Sequence, residues 1–162
     1  MPILFNQPKR VKEINIMDHK VGIIPFDVKE GNIAVLFVTS IGRGRWILPK
    51  CDLELKESHK EGCLRCAFDE AGVKGSLLEQ IPMTNVITKS DFGATKNVAV
   101  TYYPMLVEEQ LDEWPEFKKR QRHWALLDSA DRVTDREDFL RVINLFASLK
   151  PLILEHVRRK KV

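Results

Sequence analysis

The sequence predicts an α/β fold, an α/β/α sandwich of helices around a mixed β-sheet, and three observations lead there. Short runs rich in β-branched and aromatic residues recur along the 162 residues. Two other segments instead place apolar residues three and four apart, and the two kinds of segment are interspersed rather than grouped into halves. With 44% apolar residues the chain can bury one sizeable core, which sets one domain as the expectation.

Residues 1–18 mix proline, lysine and short apolar pieces without a period, so we expect an N-terminal arm followed by a domain over 19–157 and a basic tail over 158–162. His19 to Phe26 and Asn32 to Thr39 read as two strands, and the stretch D-V-K-E-G from Asp27 to Gly31 between them carries a turn signal, so the pair reads as a hairpin. Gly42 to Arg45 is a basic loop, and Arg45 to Leu48 a short strand stopped by Pro49. A helix is expected over about Ser58 to Ala71. Ser58 and Glu61 have capping-box spacing, Gly72 suits the left-handed position beyond the helix end, and Leu64, Ala67, Phe68 and Ala71 mark its buried side. Strands return between Leu77 and Leu106, around a turn at Ser90–Thr95, and again from Arg122 to Leu127. Asp135 to Leu149 closes the pattern as an amphipathic helix buried through Phe139, Val142, Ile143, Phe146 and Leu149.

Charged residues make up 30% of the chain but the net charge is only +3, which does not mark a nucleic-acid binder. Basic residues cluster at Arg43 and Arg45, at Lys118 to Arg122, and at Arg158 to Lys161; without an interleaved aromatic motif these argue against nucleic acid as partner. The absence of an uncharged apolar run of about 18 residues argues against a membrane partner and makes a cytoplasmic protein the expectation. Cys51, Cys63 and Cys66 form no even-numbered framework, so a structural or incidental role is expected for Cys63 and Cys66 rather than a metal or redox one.

The stretch from Gly44 to Val73, G-R-W-I-L-P-K-C-D-L-E-L-K-E-S-H-K-E-G-C-L-R-C-A-F-D-E-A-G-V, carries the chemistry. It resembles the Nudix box, a loop-helix-loop signature of Gly, five residues, Glu, seven residues, then Arg-Glu-apolar-x-Glu-Glu-x-Gly-apolar. Glu57, Arg65, Ala67, Glu70, Gly72 and Val73 match at the required spacing. The resemblance implies a Nudix fold and a magnesium ion, with manganese as an alternative, bridged by carboxylates to a substrate pyrophosphate. It implies Lys50, through its carbonyl, with Asp69 and Glu70 as metal ligands, and Glu57, Arg65, Asp69 and Glu70 as the catalytic group. Three positions depart from the family pattern: Cys51 replaces the first glycine, Cys66 replaces a glutamate, and Asp69 is one methylene shorter than the usual residue. A thiol at Cys66 is neither a hard oxygen ligand nor a carboxylate base, so a replacement base is expected elsewhere, at Glu57 or at an acid such as Asp91.

G-R-W-I-L-P-K, D-E-A-G-V-K-G and the later L-D-E-W-P-E with K-K-R-Q-R-H-W-A-L-L-D-S-A are similar to the diphosphoinositol polyphosphate and diadenosine polyphosphate phosphohydrolase branch. That likeness implies a densely phosphorylated small molecule as substrate, for which Lys20, Arg43, Arg45, Lys96 and the 118–122 cluster are candidate phosphate contacts. Two functions follow from it. One is hydrolysis of a phosphoanhydride; the alternative is a ligand sensor that has lost turnover at Cys66. Trp46, Trp114 and Trp124 are expected to pack rather than to stack on bases.

Overall fold

A computed structural model describes residues 18–91 and 93–160, so the expected N-terminal arm, apart from its last residue Asp18, lies outside the described residues. The architecture is a mixed sheet with helices, as the sequence predicts. In chain order the elements are β1 (Asp18–Lys29), β2 (Asn32–Thr39), β3 (Trp46–Ile47), β4 (Lys50–Asp52), α1 (His59–Cys66) continued by a π-helical turn (Ala67–Ala71), β5 (Val73–Leu77), β6 (Met83–Asp91), β7 (Ala94–Gln110), β8 (Arg122–Leu126), a 3₁₀ turn (Leu127–Arg132), α2 (Glu137–Ser148) and α3 (Lys150–Lys160).

The first hairpin is tighter than the sequence reading. β1 runs through Lys29 because Glu30 and Gly31 both adopt positive φ, 52° and 77°, closing a two-residue turn with Lys29 opposite Asn32. β1 is central. It pairs antiparallel with β2 and β4 and parallel with β7, where Asp18 to Phe26 run in unbroken register against Val98 to Leu106. β7 in turn carries β5 and β6, and β2 carries β3 and β8.

Unbroken register means that odd and even residues of β1 face opposite sides. A Cβ added to Gly62 of α1 would lie 3.2 Å from the Val21 side chain, so α1 covers the odd face. Phe26 meets Phe146 of α2 edge to face at 5.4 Å, so α2 covers the even face. The register of Val21 opposite Cys51 and of Gly22 opposite Lys50 therefore turns Cys51 toward α1.

The helix over the odd face buries Ala67 and Ala71 as expected, but not Leu64 and Phe68. Gly62, Cys63, Cys66, Ala67 and Ala71 are buried, whereas Leu64 and Phe68 are each 36% exposed. Small residues let α1 sit close on β1 and β4, and the larger apolar pair is left at the rim. In α2, Phe139, Val142, Ile143 and Phe146 are buried as expected, while Leu149 is only partly so. Arg158, Arg159 and Lys160 form the last turn of α3, where Arg158 and Arg159 pair with Glu155. Among the described residues no helix is long and apolar enough to cross a membrane.

Candidate functional site

The N-terminus of α1 is fixed by its own sequence. Ser58 Oγ accepts from the Glu61 amide while the Glu61 carboxylate accepts from the Ser58 amide, the reciprocal pair that the spacing predicts. Just before it, Glu57 accepts two hydrogen bonds from the Arg65 guanidinium, each 2.8 Å, and a third from the Glu54 amide at 2.9 Å. Arg65 also donates to the Asp52 carbonyl at 2.7 Å, so one side chain ties strand, loop and helix together. The Arg65 hydrogen bonds, helped by the Glu54 amide, hold the Glu57 carboxyl down at about 2. A carboxylate so occupied is a poor proton acceptor, which removes Glu57 as a replacement base. The side chain of Asp91 lies outside the described residues.

Of the structural or incidental role expected for the cysteines, Cys66 takes the structural one, in a pairing that the sequence reading did not foresee. Cys51 and Cys66 form a disulfide, their Cα atoms 5.8 Å apart, and Cys66 is therefore not a free thiol. The free cysteine is Cys63, buried over β1 with its thiol 3.6 Å from the Gly22 carbonyl and pushed up to about 12 by burial. The signal that could have found the bridge is the pairing of the departures. The box brings its first glycine and this glutamate toward one ion, and here both positions are cysteine.

Glu70 stands against this disulfide. Its Oε2 lies 2.9 Å from Cys51 Sγ and 3.5 Å from Cys66 Sγ, and only 6% of the residue is exposed. Burial raises its carboxyl to about 7 against the opposing pull of Arg120 and Lys50, and a backbone hydrogen bond from Lys50 also steadies the charge. Arg120 Nη2 sits 3.4 Å from Glu70 Oε1 and is itself nearly buried, held by Glu116 at 2.8 Å and by the Thr39 carbonyl at 2.8 Å. The sequence places Arg120 only in a basic run; its isolation from solvent is a tertiary fact. Trp114 Nε1 donates to the Glu70 carbonyl at 3.0 Å while its ring stacks under Arg122, 3.8 Å from the centroid, as expected of a packing tryptophan.

The three positions expected to share a face divide. Cys66 and Glu70 converge, but the π-helical turn leaves Asp69 at the rim, 4.0 Å from Arg65, with its side chain 34% exposed. Burial and the nearby acids Glu116, Glu54 and Glu57 raise the Asp69 carboxyl against the pull of Arg65. Lys20 pairs with Asp52 at 3.1 Å on the even face of β1, and the Lys50 ammonium lies on that same side, 6.0 Å from the Phe139 ring. Arg43 and Arg45 are exposed in the loop before β3, and Lys96 is exposed on β7. The candidate phosphate contacts thus do not form one cluster. A pocket of about 350 Å³ lies between that loop and the segment after Phe117, lined by Thr39, Gly44, Lys118, Lys119 and Arg120 among others.

Magnesium does not fit the converging trio of Cys51, Cys66 and Glu70. It requires an octahedron of oxygen ligands, and two of the three positions are sulfurs bonded to each other, which leaves the Glu70 carboxylate as the oxygen donor of the trio.

No protein-family model matches the chain. Among curated proteins it is 33% identical over 117 residues to Nudix hydrolase 21, chloroplastic, of Arabidopsis thaliana, covering 68% of this chain and 56% of that protein. It is 31% identical over 122 residues to Nudix hydrolase 16, mitochondrial, of the same organism, covering 67% and 68%. The chain thus spans little more than half the length of the first of these relatives. In fold it is similar to a C. elegans Ap4A hydrolase solved as a binary complex, with a TM-score of 0.65 at 17% identity, covering 82% of this chain and 97% of that one. With the box clamp of Glu57 and Arg65 in place on a mixed sheet of this topology, and with curated relatives at this identity and coverage, the chain belongs to the Nudix hydrolase superfamily.

Proposed function

We propose that the chain hydrolyses a phosphoanhydride in a polyphosphorylated small molecule, such as a diphosphoinositol polyphosphate or a dinucleoside polyphosphate. The observation that carries this reading is Arg120, which lines the cationic pocket and also pairs with the buried box carboxylate of Glu70. Anion recognition and the box are therefore contiguous. Lys118 and Lys119 add exposed positive charge to the pocket, and Arg43 and Arg45 flank Gly44 at its rim. In this reading Glu57 and Arg65 are positioning residues, Asp69 and Glu70 act at the phosphoanhydride, and Lys20 and Lys96 steer phosphate from the sheet. The cytoplasm is our proposed location, although the relatives named above are chloroplastic and mitochondrial.

A second reading, binding without turnover, is favoured by the disulfide that occupies two box positions. One experiment separates them. Phosphate release is followed from dinucleoside polyphosphates, inositol pyrophosphates and nucleoside diphosphate derivatives, with magnesium or manganese, before and after treatment with a dithiol, with binding measured calorimetrically in parallel. Turnover, with KM raised about tenfold when Lys118 and Lys119 are both changed to Glu, the equivalent of one charged hydrogen bond of about 1.5 kcal/mol, supports hydrolysis. Binding without release in either redox state supports the sensor, and absence of both overturns the two readings together.

A further inference from the structure

We propose that, once reduced, Cys51, Cys66 and Glu70 form a site for a thiophilic divalent cation of the zinc class, where the family's box gathers oxygen ligands for magnesium. The proposal rests on the Nudix reading only for the location of the site, and it needs no turnover.

The chemistry of the donors leads to it. The two sulfurs and a Glu70 oxygen all lie within 4.8 Å of one another. In the bridged form neither sulfur carries a hydrogen, so the 2.9 and 3.5 Å approaches to Glu70 Oε2 are not hydrogen bonds but a carboxylate set against sulfur lone pairs. Arg120 meets the other carboxylate oxygen, Oε1, at 3.4 Å and Lys50 adds charge and a backbone hydrogen bond, but Oε2 still faces the two sulfurs. A cation between the three atoms satisfies all of them. Tetrahedral zinc, with Zn–S near 2.3 Å and Zn–O near 2.0–2.2 Å, keeps its ligand atoms about 3.5–3.8 Å apart, a spacing reached by side-chain rotation once the sulfurs part. Thiolates select such an ion over magnesium. Three protein ligands leave a fourth position open, the arrangement of zinc sites that also take water or a substrate oxygen.

Entry to this form is a balanced redox step. A dithiol supplies two electrons and two protons and ends as its own disulfide, while the Cys51–Cys66 bond breaks to two thiols. Binding the cation then releases both thiol protons. Cys51 is only half-buried, which gives a reductant a route to the bridge. In a reducing compartment the dithiol form is the one maintained.

The test uses the full chain, reduced with a dithiol, desalted without oxygen and titrated with cobalt(II). The expected result is a thiolate-to-cobalt charge-transfer absorption that saturates at one equivalent, is lost on adding zinc, and is unmoved by magnesium in excess. The oxidised chain, Cys51→Ser, Cys66→Ser and the double reversion Cys51→Gly with Cys66→Glu should each lack the band, whereas Cys63→Ser should keep it, with circular dichroism confirming that each variant is folded. A folded, reduced chain without the band overturns the proposal. So does a band that survives in either single serine variant, and so does a bridge that no dithiol opens without unfolding the protein.

Discussion

At the scale of single residues, the box spends its charges on each other. Glu57 is fully engaged by Arg65 and the Glu54 amide, which lowers its carboxyl from the ordinary 4.5 to about 2. A lowered folded-state value means that Glu57 stabilises the fold at every pH above 4.5 and that this contribution disappears as the pH falls toward 2. Glu57→Gln should therefore be destabilised relative to the natural protein at neutral pH, and the gap should close on acidification through that window, as read by denaturant midpoints at a series of pH values. Glu70 acts with the opposite sign. Burial raises its carboxyl to about 7, so its contribution is complete when it is protonated, below 4.5, and fades as the pH rises through 7.

At the scale of elements, the end of the box helix depends on one glycine for two separate reasons. Gly72 has φ of 64°, and a Cβ there would come within 2.7 Å of the Trp114 ring. Left-handed backbone alone costs an L-residue about 1–2 kcal/mol. The clash adds to this, because Trp114 is anchored to the Glu70 carbonyl and cannot retreat without giving up that hydrogen bond. Gly72→Ala should lower the melting temperature by at least about 2–8 °C on the backbone term, at about 2–4 °C per kcal/mol for a chain of this size, and should shift tryptophan fluorescence to the red as Trp114 loosens. A melting temperature unchanged from the natural protein would show that the turn and the ring tolerate a side chain.

At the scale of the whole molecule, the Cys51–Cys66 bridge closes a loop with a sequence separation of 15 residues, spanning β4 and α1. In the chain-entropy model a loop of that length is worth about 3 kcal/mol. Reduction should accordingly lower the melting temperature by about 6–12 °C, and zinc added to the reduced chain should recover part of the loss because it binds the folded state. Reduction without any thermal shift would mean that the bridge contributes nothing to the fold.

The sequence by itself determined strands β1 to β3 and β6 to β8, the capped helix and the Glu57 to Val73 signature, because β-branched runs, a Ser-x-x-Glu cap and a left-handed glycine act over a few neighbouring residues, whereas β4, β5 and α3 were not legible in it. It also determined that two box positions are cysteine. What only the tertiary structure decided was that these two sulfurs meet, since strand β4 brings position 51 to the helix through its register with β1, a contact between distant segments. The same holds for Arg120, legible in sequence only as one member of a basic run, and for the division of Asp69 from Glu70, which a π-helical turn makes where uniform helical spacing would have kept them on one face. Local periodicity records which face a side chain takes within its own element. It does not record which remote atoms that face will meet, and at this site those meetings decide whether a carboxylate finds magnesium, an arginine or a pair of sulfurs.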